Sequence, residues 1–480
     1  MKLVLQGHEE RYLTETLALL FFPAAGFSAE RDDGLQAVSR LEGRTAFTEI
    51  TAHGKTAQAV DTAREDEPAE QSIARSFYKA GQALTGITPP WGTLTGIRPA
   101  KLVKRLLDSG LTEREAADRL LRDCFTSPDK TALCAGVLQS EQQALAQLNP
   151  SAVSLYLGIP FCPSRCSYCS FVSHSVEKEG RFIPAYVEAL KEEVEQTMEA
   201  LDKISVPVQS IYMGGGTPTT LSAEQLREVL GIFSRYLDPK TLSEFTVEAG
   251  RPDTITQDKL EAILACGADR ISVNTQTTDN ETLRRVGRTH SADDFFAAYE
   301  LVRRYPFRVI NVDLIAGLPQ EPVEAFCKSL KDTIGLRPEN LTVHSLSLKR
   351  AARLEYKDMD RSRQGSNDIV EMLSFTSAAT KEVGYQPYYL YRQRNTLGNL
   401  ENVGYALPDT QGLYNVYIMG EYQSIVAMGA GGVSKVVGLP GGKIERVFHN
   451  KYYHEYIRDK EKMRRNRETL ITLLQRARSF

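Results

Sequence analysis

Three cysteines in one short segment are the residues of this chain that most clearly indicate chemistry. Cys162, Cys166 and Cys169 have the spacing C-x3-C-x2-C within GIPFCPSRCSYCSF, residues 158–171. Thiolates bind zinc and iron–sulfur clusters, and a four-iron cluster normally takes four of them. Three thiolates would leave one iron with an open position, as a catalytic metal site requires. The alternative is a structural zinc site with His174 as fourth ligand, although zinc sites usually have C-x2-C spacing.

The composition of the whole chain limits the class of protein. The 480 residues are 42% hydrophobic and 25% charged, with a formal net charge of −3, which is typical of a globular protein and gives no reason to expect a nucleic-acid partner. Seven cysteines are an odd number, so a metal or catalytic role is favoured over a disulfide framework. The sequence contains neither a long apolar run nor a signal-peptide pattern, and we therefore expect a cytoplasmic protein without a membrane span.

The elements that must position the cysteines follow a regular pattern. From residue 153 an apolar strand alternates with an amphipathic helix, which indicates a parallel sheet. The six predicted strands are SLYLGI, QSIYMG, EFTVEA, RISVNT, RVINVDLI and NLTVHSL. Six strand–helix units are too few for a closed eight-stranded barrel, so the sequence predicts an α/β fold with a partial (β/α)6 TIM-like barrel. We place the barrel at 149–349, after an N-terminal α+β domain at 1–148 and before a C-terminal α+β, substrate-covering region at 350–480.

Further candidate binding residues follow these strands. The cysteines come directly after the first strand, the segment GGGTP ends the second, and Glu248, Gln276 and Asp313 end the third, fourth and fifth. Because the carboxyl ends of barrel strands form one face, we expect these residues to share one site. Glycines let the backbone approach a ligand closely, and the arginine of GRTHS, Arg288, has a fork that suits a carboxylate.

Together these motifs resemble the radical S-adenosylmethionine (SAM) enzymes. An aromatic residue, Tyr168, precedes the last cysteine, and GGGTPT follows about forty residues later. The resemblance implies a [4Fe-4S] cluster on the three cysteines, with the amino and carboxylate groups of SAM at the fourth iron. It further implies cleavage of SAM to methionine and a 5′-deoxyadenosyl radical, which takes hydrogen from a substrate.

Within this superfamily the chain resembles the oxygen-independent coproporphyrinogen III oxidases, and most closely the Z-type coproporphyrinogen dehydrogenases. The likeness extends to GTLTGIRPAKLVKRLLDSG before the barrel and to PYYLYRQRNTLGNLENVGYA and GAGGVSK after it. The resemblance assigns roles toward SAM as follows: Tyr156, the one catalytic assignment, beside the sulfonium; Gly215, Gly216 and Thr217 at the methionine part; Glu248 at the amino group; Arg288 at the carboxylate; Gln276 and Asp313 at the ribose.

The same resemblance implies a reaction and its partners. The reaction is conversion of coproporphyrinogen III to protoporphyrinogen IX in anaerobic haem biosynthesis, with a low-potential electron donor such as flavodoxin or ferredoxin. The alternatives are a haem chaperone of the same superfamily and another radical reaction on a tetrapyrrole. The segment YYLYRQRN offers tyrosines and arginines for the propionates of a tetrapyrrole, or else is a strand with alternating tyrosines; these residues are Tyr389, Tyr391, Arg392 and Arg394.

Overall fold

The secondary structure comes from a computed structural model, which describes residues 1–28, 34–96, 98–169, 171, 173–347, 352, 354, 363–393, 396 and 399–479. The strands are β1 (Lys2–Gln6), β2 (Leu35–Glu42), β3 (Thr45–Ala52), β4 (Lys55–Thr62), β5 (Val153–Ile159), β6 (Phe161–Cys162), β7 (His174–Ser175), β8 (Val208–Gly215), β9 (Glu244–Glu248), β10 (Arg270–Ser272), β11 (Val309–Ala316), β12 (Asn340–Ser345), β13 (Gln386–Arg392), β14 (Glu401–Ala406), β15 (Ser424–Met428), β16 (Val433–Val436) and β17 (Glu445–Phe448). The helices are α1 (Arg11–Phe21), α2 (Glu70–Thr85), α3 (Pro99–Asp108), α4 (Glu113–Asp123), α5 (Pro128–Leu145), α6 (Val176–Glu179), α7 (Ile183–Lys203), α8 (Ala223–Leu230), α9 (Gln257–Ala265), α10 (Asn280–Arg285), α11 (Ala292–Arg303), α12 (Val323–Gly335), α13 (Arg363–Glu382), α14 (Leu413–Gly420), α15 (Tyr453–Arg458) and α16 (Lys460–Arg478).

The chain divides into two compact units. Unit 1 comprises Met1–Leu138, Asp360–Val370 and Leu390–Glu401, and unit 2 comprises Gln139–Met359, Glu371–Tyr389 and Asn402–Phe480. The sequence-based division at residues 148 and 349 stays a prediction.

Unit 1 contains a four-stranded sheet with the order β1-β2-β3-β4. Strands β1 and β2 are parallel, and the other two pairs are antiparallel. Burial alternates along β3, where every second residue from Ala46 is buried, so one face of the sheet lies on a core. Leu17 of α1, Ile50 of β3 and Phe77 of α2 are fully buried in that core. Thr112 and Glu115 form the capping box that the sequence predicts at the start of α4.

Unit 2 is built on a long sheet with the order β13-β14-β12-β11-β10-β9-β8-β5-β15-β16-β17. The six predicted strands are β5, β8, β9, β10, β11 and β12, and each is parallel to its neighbour in chain order. This confirms the predicted α/β class. The two outer members of this parallel set pair with other strands, since β5 is also parallel to β15 and β12 is antiparallel to β14.

Helix α14 contributes to the interior of the open barrel. Its Tyr414 ring stacks on Tyr212 of β8, with ring centroids 4.5 Å apart and an interplanar angle of 20°. Tyr156 of β5 lies beside both rings, at 6.3 Å from Tyr212 and 6.4 Å from Tyr414. At the start of the helix the Leu413 amide donates to Glu244 Oε2 at 2.7 Å. The interior is therefore packed by a helix from outside the predicted strand–helix units as well as by strand side chains.

Among the described residues, none of the helices is both long and apolar enough to cross a membrane.

Candidate active site

Backbone hydrogen bonds hold the cysteine loop at its start, in its middle and between two of its cysteines. It leaves β6, which pairs with β7 so that Cys162 lies opposite Ser175. In the middle of the loop, the Ser167 amide donates to the carbonyl of Val286 at 2.9 Å, just after α10. The Cys169 amide donates to the carbonyl of Cys166 at 3.2 Å, which closes a turn between these two cysteines. The loop is thus held in one shape by main-chain contacts.

The three thiols lie close enough to one another for their charges to interact. Burial raises the pKa of the Cys162 thiol, and the neighbouring Cys169 and Cys166 sulfurs raise it further. Across the described residues, however, no three histidine, cysteine or carboxylate side chains converge so as to hold a single metal ion. His174 Nδ1 instead pairs with Glu179 Oε2 at 2.8 Å. The other ring nitrogen, Nε2, is buried without a hydrogen-bond partner among the described residues, and a histidine that ligates zinc commonly pairs its second nitrogen with a carboxylate in this way. A cluster of several irons, in contrast, takes each thiolate at a different iron.

The glycine segment packs directly against the cysteine loop. The Gly216 amide donates to the carbonyl of Ile159 and the Thr217 amide to that of Phe161, both at 2.7 Å. A Cβ atom on Gly216 would lie 2.5 Å from the Phe161 carbonyl oxygen and 3.0 Å from Cys162 Sγ. Thr217 Oγ1 lies 3.5 Å from the same sulfur. Only glycine fits at position 216, because any side chain would occupy the space beside the thiol.

Glu248 lies at the end of β9 between a tyrosine and the glycine segment. Its Oε1 accepts a 2.5 Å hydrogen bond from the Tyr212 hydroxyl, and its Oε2 accepts from the Gly215 amide at 3.3 Å. Burial raises the pKa of Glu248 to about 7, and the charge of Asp313 adds to this, while the Tyr212 hydrogen bond opposes it. A carboxyl that titrates near neutrality at the end of a barrel strand is a candidate for a ligand contact.

Gln276 and Asp313 are joined through their backbones. The Gln276 amide donates to the Asp313 carbonyl at 2.9 Å, and the Asp313 amide donates to Asn274 Oδ1 at 3.1 Å. Gln276 has a φ of 73°, in the left-handed region that non-glycine residues rarely adopt. Its side-chain Oε1 is buried and has no hydrogen-bond partner in the part of the chain that the structure describes. Backbone strain and an unpaired buried acceptor at one residue are typical of a position kept for binding.

Arg288 is buried and most of its donors are already bonded. Nη1 donates to the Tyr168 hydroxyl at 3.1 Å, and Nη2 donates to the carbonyls of Gly250 at 3.1 Å and Asn274 at 2.5 Å. Only Nε lacks a partner among the described residues. A carboxylate could therefore bond Nε directly, but a two-pronged contact would require one of the present partners to move. The arginine also ties the cysteine loop to the strand ends, because Tyr168 lies between Cys166 and Cys169.

All the residues predicted for the site lie in unit 2, and direct contacts connect them. Thr217 contacts a cysteine, Glu248 contacts Gly215, and Gln276 contacts Asp313. Tyr156 reaches the glycine segment, with its hydroxyl 3.4 Å from where a Cβ of Gly215 would stand. The individual roles toward a ligand stay predictions.

Two residues at the centre of these contacts were not among the predicted ones. Tyr212 bonds Glu248, and Arg251 donates to Ser164 of the cysteine loop and lies within reach of Cys166 Sγ. Tyr212 had a sequence signal, since it alternates with the apolar residues of its strand and so faces the interior. Arg251 also had one, because it follows Glu248 by three residues at the same strand end.

The tyrosine- and arginine-rich segment is largely buried. Tyr389 is buried in unit 2, and Arg392 is buried in unit 1 with its guanidinium 5.4 Å from the centre of the Trp91 ring. Arg394 lies outside the described residues. The contribution of this segment to a substrate site stays a prediction.

Comparison with known proteins finds a matching superfamily profile, similar proteins and a similar solved structure. The profile of the radical SAM superfamily matches residues 156–333. The oxygen-independent coproporphyrinogen-III oxidase-like protein HemZ of Bacillus subtilis (strain 168) is 41% identical over 378 residues, which are 78% of this chain and 75% of that protein. The haem chaperone HemW of the same organism is 35% identical over 195 residues, which are 40% of this chain and 50% of that protein. The solved structure of coproporphyrinogen III oxidase (HemN) from Escherichia coli shares the fold, with a TM-score of 0.52, 22% identity and coverage of 70% of this chain and 79% of that one.

Proposed function

The chain belongs to the radical SAM superfamily and, within it, to the coproporphyrinogen III oxidase-like family, and from this premise we propose that it converts coproporphyrinogen III to protoporphyrinogen IX without oxygen. The observation that carries the proposal is the 41% identity over 78% of the chain with a relative that is named an oxygen-independent coproporphyrinogen-III oxidase-like protein. That alignment is longer than the radical SAM match at residues 156–333, so the likeness extends beyond the part that all radical SAM proteins share.

The residues present fit the two cofactors that the family implies. Three thiols lie close enough for their charges to interact, they form no single-ion site among the described residues, and a glycine leaves room beside one of them. The unpaired Gln276 Oε1 and Arg288 Nε supply one acceptor and one donor at the same strand ends. Cys162, Cys166 and Cys169 would hold a [4Fe-4S] cluster, and the residues from Gly215 to Asp313 would hold SAM.

When bound, the cluster and SAM together supply a 5′-deoxyadenosyl radical that takes a hydrogen atom from the substrate. The chain's own residues position that chemistry. Glu248 accepts from the SAM ammonium group, and Gln276 Oε1 accepts from a ribose hydroxyl. Tyr156, which the family resemblance assigns beside the sulfonium, has its ring 6.3 Å from that of Tyr212, and the two rings would help to exclude water from these contacts.

In the proposed reaction each of two propionates loses a hydrogen atom from its β-carbon to the radical, one electron to an electron acceptor, and carbon dioxide, and becomes a vinyl group. We propose that a low-potential donor such as flavodoxin or ferredoxin supplies the electron that starts each cycle, and that the reaction takes place in the cytoplasm. The anaerobic setting follows from the same proposal, because exposed low-potential clusters are oxidised by oxygen.

A haem chaperone is the second candidate, because relatives named heme chaperone HemW also match, one of them over 40% of this chain. One sequence feature favours an enzyme over a chaperone. The chaperones have a tyrosine–tryptophan signature in the C-terminal half, whereas the one tryptophan of this chain is Trp91. Tight binding of haem by the purified protein, without loss of carbon dioxide from a porphyrinogen, would favour the chaperone.

The experiment is an anaerobic assay of the cluster-reconstituted protein with coproporphyrinogen III, SAM and a strong reductant, with deoxyadenosine and porphyrins measured by mass spectrometry. We expect deoxyadenosine and a product two carboxyl groups lighter. Both should be lost in Cys166→Ala and retained in the matched control Cys266→Ala, which removes a cysteine at the end of α9. Deoxyadenosine with a methylated product would replace the proposal by another radical reaction on the tetrapyrrole. The absence of both deoxyadenosine and a decarboxylated product from a protein with a well-loaded cluster would favour the chaperone.

A further inference from the structure

A buried arginine next to the cysteine loop has no part in the contacts assigned to SAM. Arg251 is 3% exposed and lies three residues after Glu248. Its Nη1 donates to the Ser164 hydroxyl at 3.1 Å and to the Ser164 carbonyl at 3.3 Å, and it lies 3.8 Å from Cys166 Sγ. One guanidinium nitrogen therefore contacts both the backbone of the loop and the sulfur of its middle cysteine.

The other side of the guanidinium is braced. Nε and Nη2 donate to the two carboxylate oxygens of Asp253, each at 3.1 Å, and Nη2 also donates to Thr289 Oγ1 at 2.7 Å. Thr289 in turn donates to Asp253 Oδ2 at 2.8 Å. This two-pronged pair fixes the plane of the guanidinium, so that Nη1 stays directed at the loop. Lysine could not reproduce the arrangement, because its ammonium group has no planar fork.

We propose that Arg251 is a positioning residue that raises the reduction potential of the cluster through its contact with Cys166. The inference rests on the proposed cluster but not on the identity of the substrate. Reduction adds one negative charge to a cluster, and a buried N–H donor with a positive charge stabilises the more negative state. Hydrogen bonds to cluster sulfurs are among the features that set such potentials. Arg251 thus makes the first electron easier to deliver.

The test is a redox titration of the reconstituted full chain, followed by electron paramagnetic resonance, with neither SAM nor tetrapyrrole present. In Arg251→Met we expect the equilibrium constant for reduction to fall about tenfold, which corresponds to ~59 mV for one electron. Arg251→Lys should lie between this variant and the wild type. The matched control is Arg227→Met, which removes an exposed arginine whose Nη2 contacts the carbonyl of Asp258 on another helix.

Asp253→Asn tests the same proposal, but here the reduction potential should change in the opposite direction. It removes the charge that offsets the guanidinium, while Ser164 and Thr289 still hold Arg251, so the potential should rise. A role that is only structural would lower cluster content without moving the potential in opposite directions. The proposal is overturned if Arg251→Met binds its full iron content and has the same reduction potential as the wild type. If Arg251→Met does not bind iron, an unchanged reduction potential in Asp253→Asn overturns the proposal.

These outcomes are separable from the fate of the proposed reaction. A wild-type protein that assembles the cluster but makes no vinyl product would contradict the reaction and leave the titration intact. A wild-type protein that assembles no cluster would contradict both.

Discussion

The Tyr212 hydroxyl donates a 2.5 Å hydrogen bond to Glu248 Oε1, which joins the aromatic interior of the barrel to the strand end where SAM is proposed to bind. The bond favours the ionised carboxyl, whereas burial favours the neutral one, and the balance leaves a pKa of about 7. Glu248 therefore changes charge near neutral pH in the absence of a cationic partner.

The affinity for SAM should depend on pH through Glu248. The SAM ammonium group requires the carboxylate form, so lowering the pH through about 7 converts the site to its neutral, weaker-binding form. We expect binding about tenfold weaker at one pH unit below that pKa than on the plateau above it. Isothermal titration calorimetry on the reconstituted protein between pH 5.5 and 8.5, a range of about three units around that value, measures this.

Two variants separate this effect from general acid instability. Glu248→Gln should bind SAM weakly with no pH dependence. Tyr212→Phe removes the bond that lowers the pKa of Glu248, so its profile should move to higher pH. A wild-type profile that is flat across pH 7 would contradict the assignment of Glu248 to the ammonium group.

Gly216→Ala should prevent cluster assembly. The new methyl group would lie 2.5 Å from the Phe161 carbonyl oxygen, 2.9 Å from that of Ile159 and 3.0 Å from Cys162 Sγ. Two of these atoms are backbone, so the cysteine loop must shift. Iron and sulfide content after reconstitution measures the loss.

The matched control for this glycine is Gly335→Ala in α12, where a Cβ meets nothing within 4 Å. It should assemble the cluster normally and gain about 0.5–1 kcal/mol in unfolding free energy, because alanine favours helix. Equal iron content in the two variants would show that the cysteine loop tolerates the displacement.

Gln276→Gly should separate stability from binding. Glycine adopts the φ of 73° without strain, so we expect an equal or slightly higher unfolding free energy. Loss of the unpaired Oε1 should weaken SAM binding by about 1–1.5 kcal/mol, roughly tenfold. Calorimetry and urea unfolding on the same sample measure both, and unchanged SAM affinity would remove Gln276 from the ribose contact.

Tyr414→Ala should destabilise unit 2. The ring is buried and stacked on Tyr212, and truncation of a buried aromatic side chain costs about 3–5 kcal/mol. The exposed Tyr12, at 60% exposure, provides the control Tyr12→Ala, with an expected change within about 0.5 kcal/mol. Comparable urea midpoints for the two variants would show that α14 does not support the barrel.

Local sequence pattern was sufficient for the six parallel strands and for Glu248 at the end of β9. It was wrong in placing Asp313 at the end of the fifth strand, because Asp313 lies inside β11 and pairs with Thr342. It predicted RISVNT as one strand, whereas β10 ends at Ser272 and Gln276 rejoins the sheet only through an isolated bridge to Leu314. The ladder is interrupted at Asn274, because the Asp313 amide donates to the Asn274 side-chain Oδ1 at 3.1 Å and not to a backbone carbonyl. The alternation of side chains along a strand carries no information about a single side chain that takes the place of a backbone acceptor.

Contacts between segments that are distant in the chain could not be predicted from local sequence pattern. The pairing of β15 with β5 and the entry of Tyr414 into the barrel join segments more than 200 residues apart in the chain, and neither leaves a local period. The 3.8 Å approach of Arg251 to Cys166 likewise depends on how two strand-end loops fold over each other. Residue type and strand register place Arg251 near the cysteines, but only the folded loops direct it at one sulfur.

The parallel pairing of Ser424–Met428 with the strand that precedes the cysteines also has a consequence for biosynthesis. Until β15 leaves the ribosome, β5 has an open edge, and open edges pair readily with other chains. At about 5–20 residues per second, the delay between the synthesis of the two strands is on the order of tens of seconds. The cysteines are therefore made long before the sheet that carries them is complete, so a nascent chain presents three thiols next to a strand whose edge is still unpaired.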